Sequence, residues 1–382
     1  MKNVAIFTAG KAGQRIFSLC EQMEDVNVSF FVDNNPNLYA LDICGVSIIS
    51  PYKLKKYIET KNIDLILVPS DRMVSFGLRE YTNQLDKLGV EKYKIVPSWM
   101  IRKKEIDKED IKQLQEIIQN GRYRVINQLQ HLQFHIIDNC NLNCRRCQHF
   151  SNIAEQNSFA DFGKIEMDFK RLRELFDDIN TIAILGGEPL LNPELIKYIE
   201  MIRSLFNNSR LEVITNGILV RQMSDELIST IKRNDVFVNI SYYPVLENSI
   251  EDMVRFLTEK GLHFHVGNHI DEFSKKIMLN KDDCSLEELQ DRYSNCRDAC
   301  CTTLREGKIY PCYLPATSFL LNEKYGCDIQ QKDSGVDIYG DVTGIEIVER
   351  LAEPFEICRH CGNDEMFRWE QTINAKLEDW VI

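Results

Sequence analysis

Cysteine is the residue type of this sequence most able to carry chemistry, and its thirteen copies are unevenly placed along 382 residues. Cys20 and Cys44 stand alone, three lie within residues 140–147, and eight lie between Cys284 and Cys361. The sequence opens with MKNVAIFTAG, which is typical of a strand and a turn and not of a basic segment before a long apolar one. We therefore expect a cytoplasmic protein whose clustered thiols stay reduced and bind metal.

The first cluster is formed by Cys140, Cys144 and Cys147, with the spacing C-x3-C-x2-C directly after a predicted strand at residues 133–138. Three thiolates on one short loop can hold three irons of a [4Fe–4S] cube and leave the fourth iron open to a small ligand. A structural zinc ion normally takes four protein ligands, and here a distant cysteine or His149 would have to complete the set. The spacing alone allows both kinds of site.

Four cysteines stand out in the second cluster. Ten residues separate Cys296 from Gly307, four separate Gly307 from Cys312, and the pair Cys358 and Cys361 follows 46 residues after Cys312. A zinc ribbon with four thiolate ligands satisfies this pattern, and an iron–sulfur cluster satisfies it as well.

The first hundred residues alternate short β-branched runs with helical patterns, and the runs mostly lack polar alternation. Such runs are typical of parallel strands that are buried on both faces of a sheet. The sequence therefore predicts a Rossmann-like parallel α/β domain over residues 1–100. Its predicted strands are Asn3 to Phe7, Val26 to Asp33, Ile63 to Val68 and Tyr93 to Val96.

The turn after the first of these strands contains Gly10 and Gly13, two glycines of a dinucleotide-binding fingerprint, with Thr8 where the first glycine would stand. Asp33 follows Gly13 by 20 residues, at the place where such folds hold a ribose hydroxyl. The same glycines are expected in a turn that needs them for backbone geometry alone. The sequence does not favour one interpretation over the other.

Residues 101–131 are polar with a helical pattern, and we interpret them as a helical linker. A second βα series over residues 132–283 predicts a parallel sheet in the form of a partial barrel. From residue 284 to residue 382 cysteines replace hydrophobic periodicity, which is typical of a small domain held together by metal. The strands predicted in the second series are residues 133–138, 181–185, 211–215, 236–241 and 263–267.

The net charge of −12 argues against nucleic acid and anionic membrane as the main partners. No apolar run approaches the roughly 20 residues that cross a bilayer. We therefore expect a protein that neither spans a membrane nor binds nucleic acid.

The C-x3-C-x2-C loop, together with Gly186-Gly187-Glu188-Pro189 after the next strand, resembles the radical S-adenosylmethionine (SAM) enzymes over about residues 133–270. The resemblance implies a partial (β/α)6 TIM-like barrel in which the three loop cysteines hold a [4Fe–4S] cluster and SAM binds the open iron. It implies further contacts to SAM from the backbone of residues 186–189 and from the side chains of Asn216, Asn239 and Ser241.

One position departs from the family pattern. Many radical SAM enzymes have an aromatic residue before the third loop cysteine, and here that residue is Arg146. The resemblance therefore implies that the adenine contact passes to Phe150 or to His149.

The second cluster resembles the SPASM or twitch extension of the same family, in which a cysteine–glycine–cysteine hairpin is followed by later cysteines. No cysteine follows Cys361 in this sequence, so the shorter twitch form with one auxiliary [4Fe–4S] cluster is expected. The fourth ligand is either Cys296, at the family spacing, or Cys301, just before a predicted hairpin strand at residues 302–310. The other three implied ligands are Cys312, Cys358 and Cys361. The remaining cysteines, as bystanders or as one substitute ligand, are Cys284, Cys300 and Cys327.

The radical SAM resemblance implies reductive cleavage of SAM by a flavodoxin- or ferredoxin-type reductant, and removal of a substrate hydrogen by the resulting 5′-deoxyadenosyl radical. Residues 32–36 and 45–51 resemble the Rossmann-like domain of bacterial sugar-nucleotide and surface-glycan enzymes, and residues 147–151 are similar to radical SAM proteins of such pathways. A carbohydrate or nucleotide-sugar substrate in polysaccharide biosynthesis is therefore implied, with oxidation, epimerisation or dehydration as the outcome. Epimerisation would need a thiol such as Cys300 or Cys327 to return hydrogen.

Two other functions stay open. Many SPASM and twitch enzymes are peptide-modifying maturases, although those often carry a small winged-helix domain where this sequence predicts a sheet. A non-catalytic iron–sulfur scaffold protein is the second alternative, and the complete cysteine loop and GGEP motif argue against it. No residue is assigned as the catalytic base. Weak candidates, all of them also compatible with packing or surface positions, are His135, His263, His265, Tyr242, Tyr243 and Arg305.

Overall fold

The chain forms two compact units, Met1–Ile126 and Asn127–Ile382. Both are α/β units whose sheets contain parallel strands. None of the helices in the described part of the chain is long and apolar enough to cross a membrane. The computed structural model describes residues 1–39, 41–69, 76–96, 100, 106, 108–120, 128–329 and 333–382.

Six strands form the sheet of the first unit: β1 (Lys2–Phe7), β2 (Val26–Val32), β3 (Asp42–Ile43), β4 (Val46–Ile49), β5 (Leu65–Pro69) and β6 (Tyr93–Val96). Their order is β3-β4-β2-β1-β5-β6, and every neighbouring pair is parallel except β3 with β4. The four strands predicted from the sequence correspond to β1, β2, β5 and β6. The short β3–β4 pair is an addition that the apolar runs do not predict.

Both faces of this sheet are buried, because side chains alternate across a strand. Val4 and Ile6 of β1 belong to one hydrophobic core, whereas Ala5 and Phe7 belong to another. This two-sided burial explains why the strands are apolar without alternation. Among the described residues of the unit, the α-helices are α1 (Lys11–Cys20), α2 (Leu54–Lys61), α3 (Phe76–Lys87) and α4 (Lys108–Asn120).

Residues 108–120 of the predicted helical linker form α4, and residues 128–131 belong to β7 (Gln128–His135). Leu114 and Ile118 of this helix are buried in the same core as Val4 and Ile6, so α4 packs as part of the first unit. The rest of the predicted linker from residue 101 to residue 127, apart from residue 106, lies outside the described residues.

Five parallel strands begin the second unit: β7 (Gln128–His135), β8 (Asp178–Leu185), β9 (Arg210–Thr215), β10 (Val236–Ile240) and β11 (Phe264–Val266). They correspond to the five strands predicted from the sequence, and they are neighbours in chain order. Their carboxyl ends therefore meet at one edge of the sheet, as in a partial TIM-like barrel. The helices between them are α5 (Phe162–Leu175), α6 (Leu195–Leu205), α7 (Asp225–Arg233) and α8 (Ile250–Glu259).

The cysteine-rich region extends this sheet on the side of β7. Its strand β13 (Thr303–Arg305) lies parallel to β7 and forms a hairpin with β14 (Lys308–Tyr310), which in turn pairs with β15 (Val336–Asp337). The domain boundary predicted at residue 284 falls within residues 127–382, which form one compact unit. A separate pair is made by β12 (Glu272–Ile277) and β16 (Cys361–Arg368). The remaining helices are α9 (Leu286–Ser294), α10 (Tyr313–Thr317), α11 (Phe319–Tyr325) and α12 (Gly344–Leu351).

Candidate functional site

The first cysteine cluster lies on a loop that follows β7, at the carboxyl edge of the parallel strands. Asn143 and Arg146 turn the backbone between the cysteines with φ angles of 53° and 63°. Burial, and then the neighbouring Cys147 and Cys140 thiols, raise the pKa of the Cys144 thiol. The loop therefore brings the three predicted cluster ligands together.

Two nitrogen donors point at sulfur atoms of this loop. The Asn216 side-chain amide lies 3.4 Å from Cys140 Sγ, and the Trp369 indole nitrogen lies 3.2 Å from Cys144 Sγ. Burial raises the pKa of Cys140 to about 12, so its thiol is not an activated nucleophile. Binding to a metal deprotonates such thiols outright, which makes ligation the chemistry that suits this environment.

The two glycines of the GGEP motif let its backbone lie against the start of the cysteine loop. A Cβ atom on Gly186 would come within 2.0 Å of the Ile137 carbonyl oxygen, and one on Gly187 within 2.0 Å of the Asn139 carbonyl oxygen. The Gly187 amide donates to Ile137 at 2.8 Å, and the Glu188 amide donates to Asn139 at 3.2 Å. Only glycine permits this approach without displacing the loop.

Glu188 is fully buried and joins this motif to the end of β9. Its carboxyl group accepts hydrogen bonds from the Thr215 hydroxyl and the Asn216 amide, both at 2.8 Å. Burial raises the pKa of Glu188 to about 7, against the opposing effect of these hydrogen bonds. Glu188, a residue predicted to contact the cofactor, therefore faces the interior and accepts a hydrogen bond from the Asn216 amide. Pro189, the next residue, begins a short helical turn.

Asn239 and Ser241 share one face of β10 and its end, as predicted. The Asn239 amide donates to Glu212 of β9 at 2.6 Å, and Glu212 also pairs with Arg210 at 2.5 Å. Ser241 forms a side-chain hydrogen bond to Tyr243, whose pKa is raised first by burial and then by the three loop thiols. The polar pair Arg210–Glu212 is absent from the sequence analysis, although its alternation within an apolar strand is a detectable signal.

The weak catalytic candidates fall in different places. His265 is exposed on the edge strand β11 and His263 is exposed just before it, where His263 pairs with Asp235 at 2.8 Å; this favours the solvent-facing interpretation. Tyr243 stacks on Trp369 beside the cysteine loop, with ring centroids 5.9 Å apart. Tyr242 lies edge-on to a histidine ring of the following loop.

Arg305 is held by an ion pair at the entrance to the cysteine loop. Its guanidinium donates two hydrogen bonds of 2.8 Å to the two carboxylate oxygens of Asp138. Burial opposes ionisation of Asp138, but the bonds from Arg305 and His135 outweigh it and hold the pKa of Asp138 well below its usual range. The Arg305 guanidinium is therefore engaged in this ion pair and does not point to an open surface.

A ring network connects the loop to the second cysteine cluster. His135 and His149 share a hydrogen bond of 2.9 Å, and the His149 ring lies 5.0 Å from that of Tyr313. The Tyr313 hydroxyl in turn donates to Asp298 at 3.3 Å. No sequence pattern predicts this network, because 164 positions separate His149 from Tyr313.

Phe150 is fully buried and packs edge-on against Trp380, with ring centroids 5.7 Å apart. This position disfavours the predicted contact between Phe150 and adenine. His149, the other candidate, is engaged with His135 and Tyr313, as described above. Arg146 lies over the ring of Phe367 at 4.2 Å.

The second cysteine cluster surrounds a cavity of about 610 Å³. Cys296, just after α9, and Cys312, at the start of α10, line it together with Cys358, in the turn before β16, and Cys361, the first residue of β16. Cys301 is not among the lining residues. The geometry therefore favours Cys296 over Cys301 as the fourth ligand.

Cys284 and Cys327 do not line this cavity. The Cys284 sulfur and carbonyl oxygen lie beside the Arg359 guanidinium, at 3.8 Å and 2.7 Å. Cys327 is half-buried after α11, and burial raises the pKa of its thiol. The backbone of Cys300 lies in a helical turn, Asp298–Cys300.

Within the described ranges, no group of three or more His, Cys, Asp or Glu side chains is arranged to hold a single metal ion. Four thiolates around one zinc ion would have sulfur atoms about 3.8 Å apart, given Zn–S bonds of about 2.3 Å. Ligands of an iron–sulfur cube bind different irons, and their sulfurs lie further apart. The sulfur spacing around one zinc ion therefore differs from the spacing around an iron–sulfur cube.

In the turn after β1, Gly13 and Asp33 both make close contacts within the protein. The Asp33 carboxylate accepts a hydrogen bond from the Ala9 amide at 2.7 Å and another from the Thr8 hydroxyl at 3.2 Å. A Cβ atom on Gly13 would lie 1.9 Å from the Thr8 carbonyl oxygen. These contacts favour backbone geometry over ribose binding as the reason for Asp33 and Gly13.

Residues 134–257 match the family model of the Radical SAM superfamily. These residues form a radical SAM domain, and the superfamily comprises enzymes that use a [4Fe–4S] cluster and SAM.

The chain is 29% identical over 150 residues to a GTP 3′,8-cyclase of Thermodesulfovibrio yellowstonii, covering 38% of this chain and 43% of that protein. It is 34% identical over 101 residues to a GTP 3′,8-cyclase of Clostridium acetobutylicum, covering 26% and 31%. The chain thus spans less than half the length of these curated relatives. A crystal structure of BtrN with AdoMet and 2-DOIA has a TM-score of 0.37 and 14% identity, covering 66% of this chain and 98% of that one. That TM-score is too low to support any inference.

Proposed function

We propose that this chain is a radical SAM enzyme, with a [4Fe–4S] cluster held by Cys140, Cys144 and Cys147. The observation that carries the proposal is the convergence of these three thiols beside a GGEP backbone that only glycine permits. Held by these cysteines with SAM bound, a reduced cluster would supply the one-electron chemistry that cleaves SAM and leads to removal of a hydrogen atom from the substrate.

The protein groups have separate tasks in this proposal. Gly186 and Gly187 let the GGEP backbone reach SAM, and buried Glu188 fixes Asn216 beside the Cys140 sulfur. Asn239 and Ser241 line the neighbouring strand end, where they would bind the ribose and carboxylate of SAM. Burial of the site keeps water away from the reacting atoms.

We further propose that Cys296, Cys312, Cys358 and Cys361 hold one auxiliary [4Fe–4S] cluster, in the manner of a twitch extension. Their common cavity of about 610 Å³ supports a polyatomic group over a single ion. Such a cluster would accept an electron in a substrate oxidation, as in an oxidoreductase.

The proposed substrate is a carbohydrate or a nucleotide-linked sugar, and the proposed reductant is of the flavodoxin or ferredoxin type. Support for the sugar comes from the resemblance of residues 32–36 and 45–51 to surface-glycan enzymes. The matched relatives are named for a reaction of GTP, which makes GTP the alternative substrate to test. We place the enzyme in the cytoplasm, where its thiols stay reduced.

The first experiment measures SAM cleavage. The chain is purified and reconstituted without oxygen, then incubated with SAM and dithionite, and 5′-deoxyadenosine and methionine are quantified. We expect both products from the natural sequence and none from a Cys140/Cys144/Cys147→Ala variant. The matched control replaces Cys44, Cys284 and Cys327, and it should retain cleavage. Cleavage that survives in the first variant would refute the proposal, and its absence from the natural sequence would favour a scaffold protein.

The second experiment tests the substrate. Nucleotide sugars, free sugars, GTP and short peptides are offered separately, and 5′-deoxyadenosine formation above the SAM-only background is measured. A sugar that stimulates it should yield an oxidised, epimerised or dehydrated product. Stimulation by a peptide alone would favour the maturase alternative and would refute the sugar proposal.

A further inference from the structure

Residues 369–382 follow β16 and lie along the first cysteine loop; we call them the clasp. The Arg145 amide donates to the Glu370 carbonyl oxygen at 2.8 Å, and the Thr372 amide donates to the Asn143 carbonyl oxygen at 2.9 Å. Between these bonds, Cys144 forms an antiparallel bridge with a residue of the clasp. Backbone pairing on both sides of a proposed cluster ligand fixes the position of that ligand.

Charged and aromatic side chains reinforce the pairing. Arg145 forms ion pairs with Asp379 at 2.6 Å and with Glu370 at 2.8 Å, and Glu370 also pairs with Arg146 at 3.2 Å. The indole nitrogen of Trp380 donates to the Cys147 carbonyl oxygen at 2.9 Å. The clasp therefore holds the loop at two of its three cysteines.

Trp369 makes the contact of greatest chemical interest, because it reaches a sulfur atom. Its indole N–H lies 3.2 Å from Cys144 Sγ, and indole nitrogen acts only as a donor, so the sulfur must be the acceptor. The Cys144 side chain is buried, and the Trp369 ring stacks on Tyr243. Burial of the acceptor sulfur limits competition from water for this bond.

We infer that Trp369 is a positioning residue of the proposed cluster, whose indole N–H···S bond to Cys144 raises the reduction potential of that cluster. The inference rests on the proposed function. Reduction adds negative charge that is shared with the thiolate sulfurs, so a donor on one sulfur stabilises the reduced form more than the oxidised form. The donor would therefore bring the potential nearer to that of the reductant.

The test is an EPR-monitored redox titration of the reconstituted full chain, in a Cys358/Cys361→Ala background that removes the auxiliary signal. Trp369→Phe removes the N–H and keeps an aromatic ring. We expect unchanged iron content and a more negative midpoint potential. Trp380→Phe is the matched control, since it removes an indole N–H from a carbonyl oxygen, and its midpoint should move less. Equal midpoints for Trp369→Phe and the parent, with full iron content, would overturn the inference.

Two further outcomes are decisive. If Trp369→Phe loses iron, the Trp369→His variant is measured, because it supplies a ring N–H in place of the indole. Recovery of the iron content and of the parent midpoint potential supports the inference. If neither recovers, Trp369 has only a packing role. If the parent chain itself binds no iron–sulfur cluster, the proposed function fails, whereas failure of the inference alone leaves cluster binding and SAM cleavage intact.

Discussion

The two cysteine clusters of the second unit are assembled in opposite ways. The first takes three thiols from eight consecutive residues, 140–147, on one loop at the end of a parallel strand. The second takes Cys296, Cys312, Cys358 and Cys361 from three separate places in the chain, which only the tertiary fold brings around one cavity. The ligands of the first set are therefore close together in the chain, whereas those of the second set are brought together only by the tertiary fold.

The two clusters also differ in the charge of the side chains that surround them. The sulfurs of the first loop receive neutral donors, from Asn216 and Trp369. The cavity of the second cluster is lined by charged side chains, including Lys276 and Asp298, which form an ion pair. Burial opposes the charge of Lys276, but Asp298 outweighs it and raises the pKa of the lysine. The two proposed clusters would therefore differ in their electrostatic environment.

The largest expected effect tests which cysteines are ligands of the second cluster. Cys296→Ala should lower the iron content of the reconstituted chain from about eight to about four per chain, because one [4Fe–4S] cluster loses a ligand. Cys301→Ala, the matched control, should keep about eight, since Cys301 does not line the cavity. Iron and sulfide analysis checks both. The opposite pattern would make Cys301 the ligand, and zinc in place of iron would make the second site a structural ribbon.

The same contrast explains what the sequence could predict. The spacing of Cys140, Cys144 and Cys147 is local, so their convergence follows from the loop they share. The choice between Cys296 and Cys301 is not local, because it depends on where α9 ends relative to the turn before β16. Sequence patterns leave such a choice open.

The same distinction between local patterns and long-range contacts applies to the fold. Strands β1, β2, β5 and β6 are predicted because continuous apolar runs mark strands buried on both faces. The pairing of β13 with β7, for which Thr303 lies opposite Gln133, joins residues 170 positions apart. The contact of Trp369 with Cys144 spans 225 positions. Neither has a periodic signal in the sequence, so neither could be predicted.

The second expected effect concerns the ion pair between Arg305, on β13 of the cysteine-rich region, and Asp138, which precedes the first cysteine loop. Arg305→Met removes the guanidinium partner of Asp138 and leaves His135 as the other side-chain partner of a buried carboxylate, which should cost the second unit about 3 kcal/mol of unfolding free energy. Denaturant unfolding at neutral pH measures it. An Asp138→Asn/Arg305→Met double variant should recover part of the loss. If the single variant is as stable as the parent chain, the ion pair does not join the regions.

A smaller loss is expected at the backbone contact of the first region. Gly187→Ala would place a Cβ atom 2.0 Å from the Asn139 carbonyl oxygen, and relief of that overlap should cost about 2–3 kcal/mol and weaken SAM binding. Gly340→Ala is the control, because its Cβ would meet no atom closer than 3.4 Å. Thermal unfolding and SAM titration measure the two effects. Equal behaviour of both variants would remove the physical reason given for the GGEP glycines.

The smallest effect tests whether the second cluster depends on distant elements. Ser285 caps α9, which leads to Cys296, by accepting a hydrogen bond from the Glu288 amide at 3.2 Å. Ser285→Ala should cost about 1 kcal/mol and should speed iron loss to a chelator from the second site alone.

Ser224→Ala is the matched control, since Ser224 caps α7 in the barrel with a bond of 3.1 Å to the Leu227 amide. It should cost a similar free energy but leave the rate of iron loss unchanged, because α7 carries no ligand. Iron release followed by chelator absorbance distinguishes the two variants. Equal rates would mean that the position of Cys296 does not depend on its helix, and the contrast between a locally built site and a site built by the fold would then fail at its most direct test.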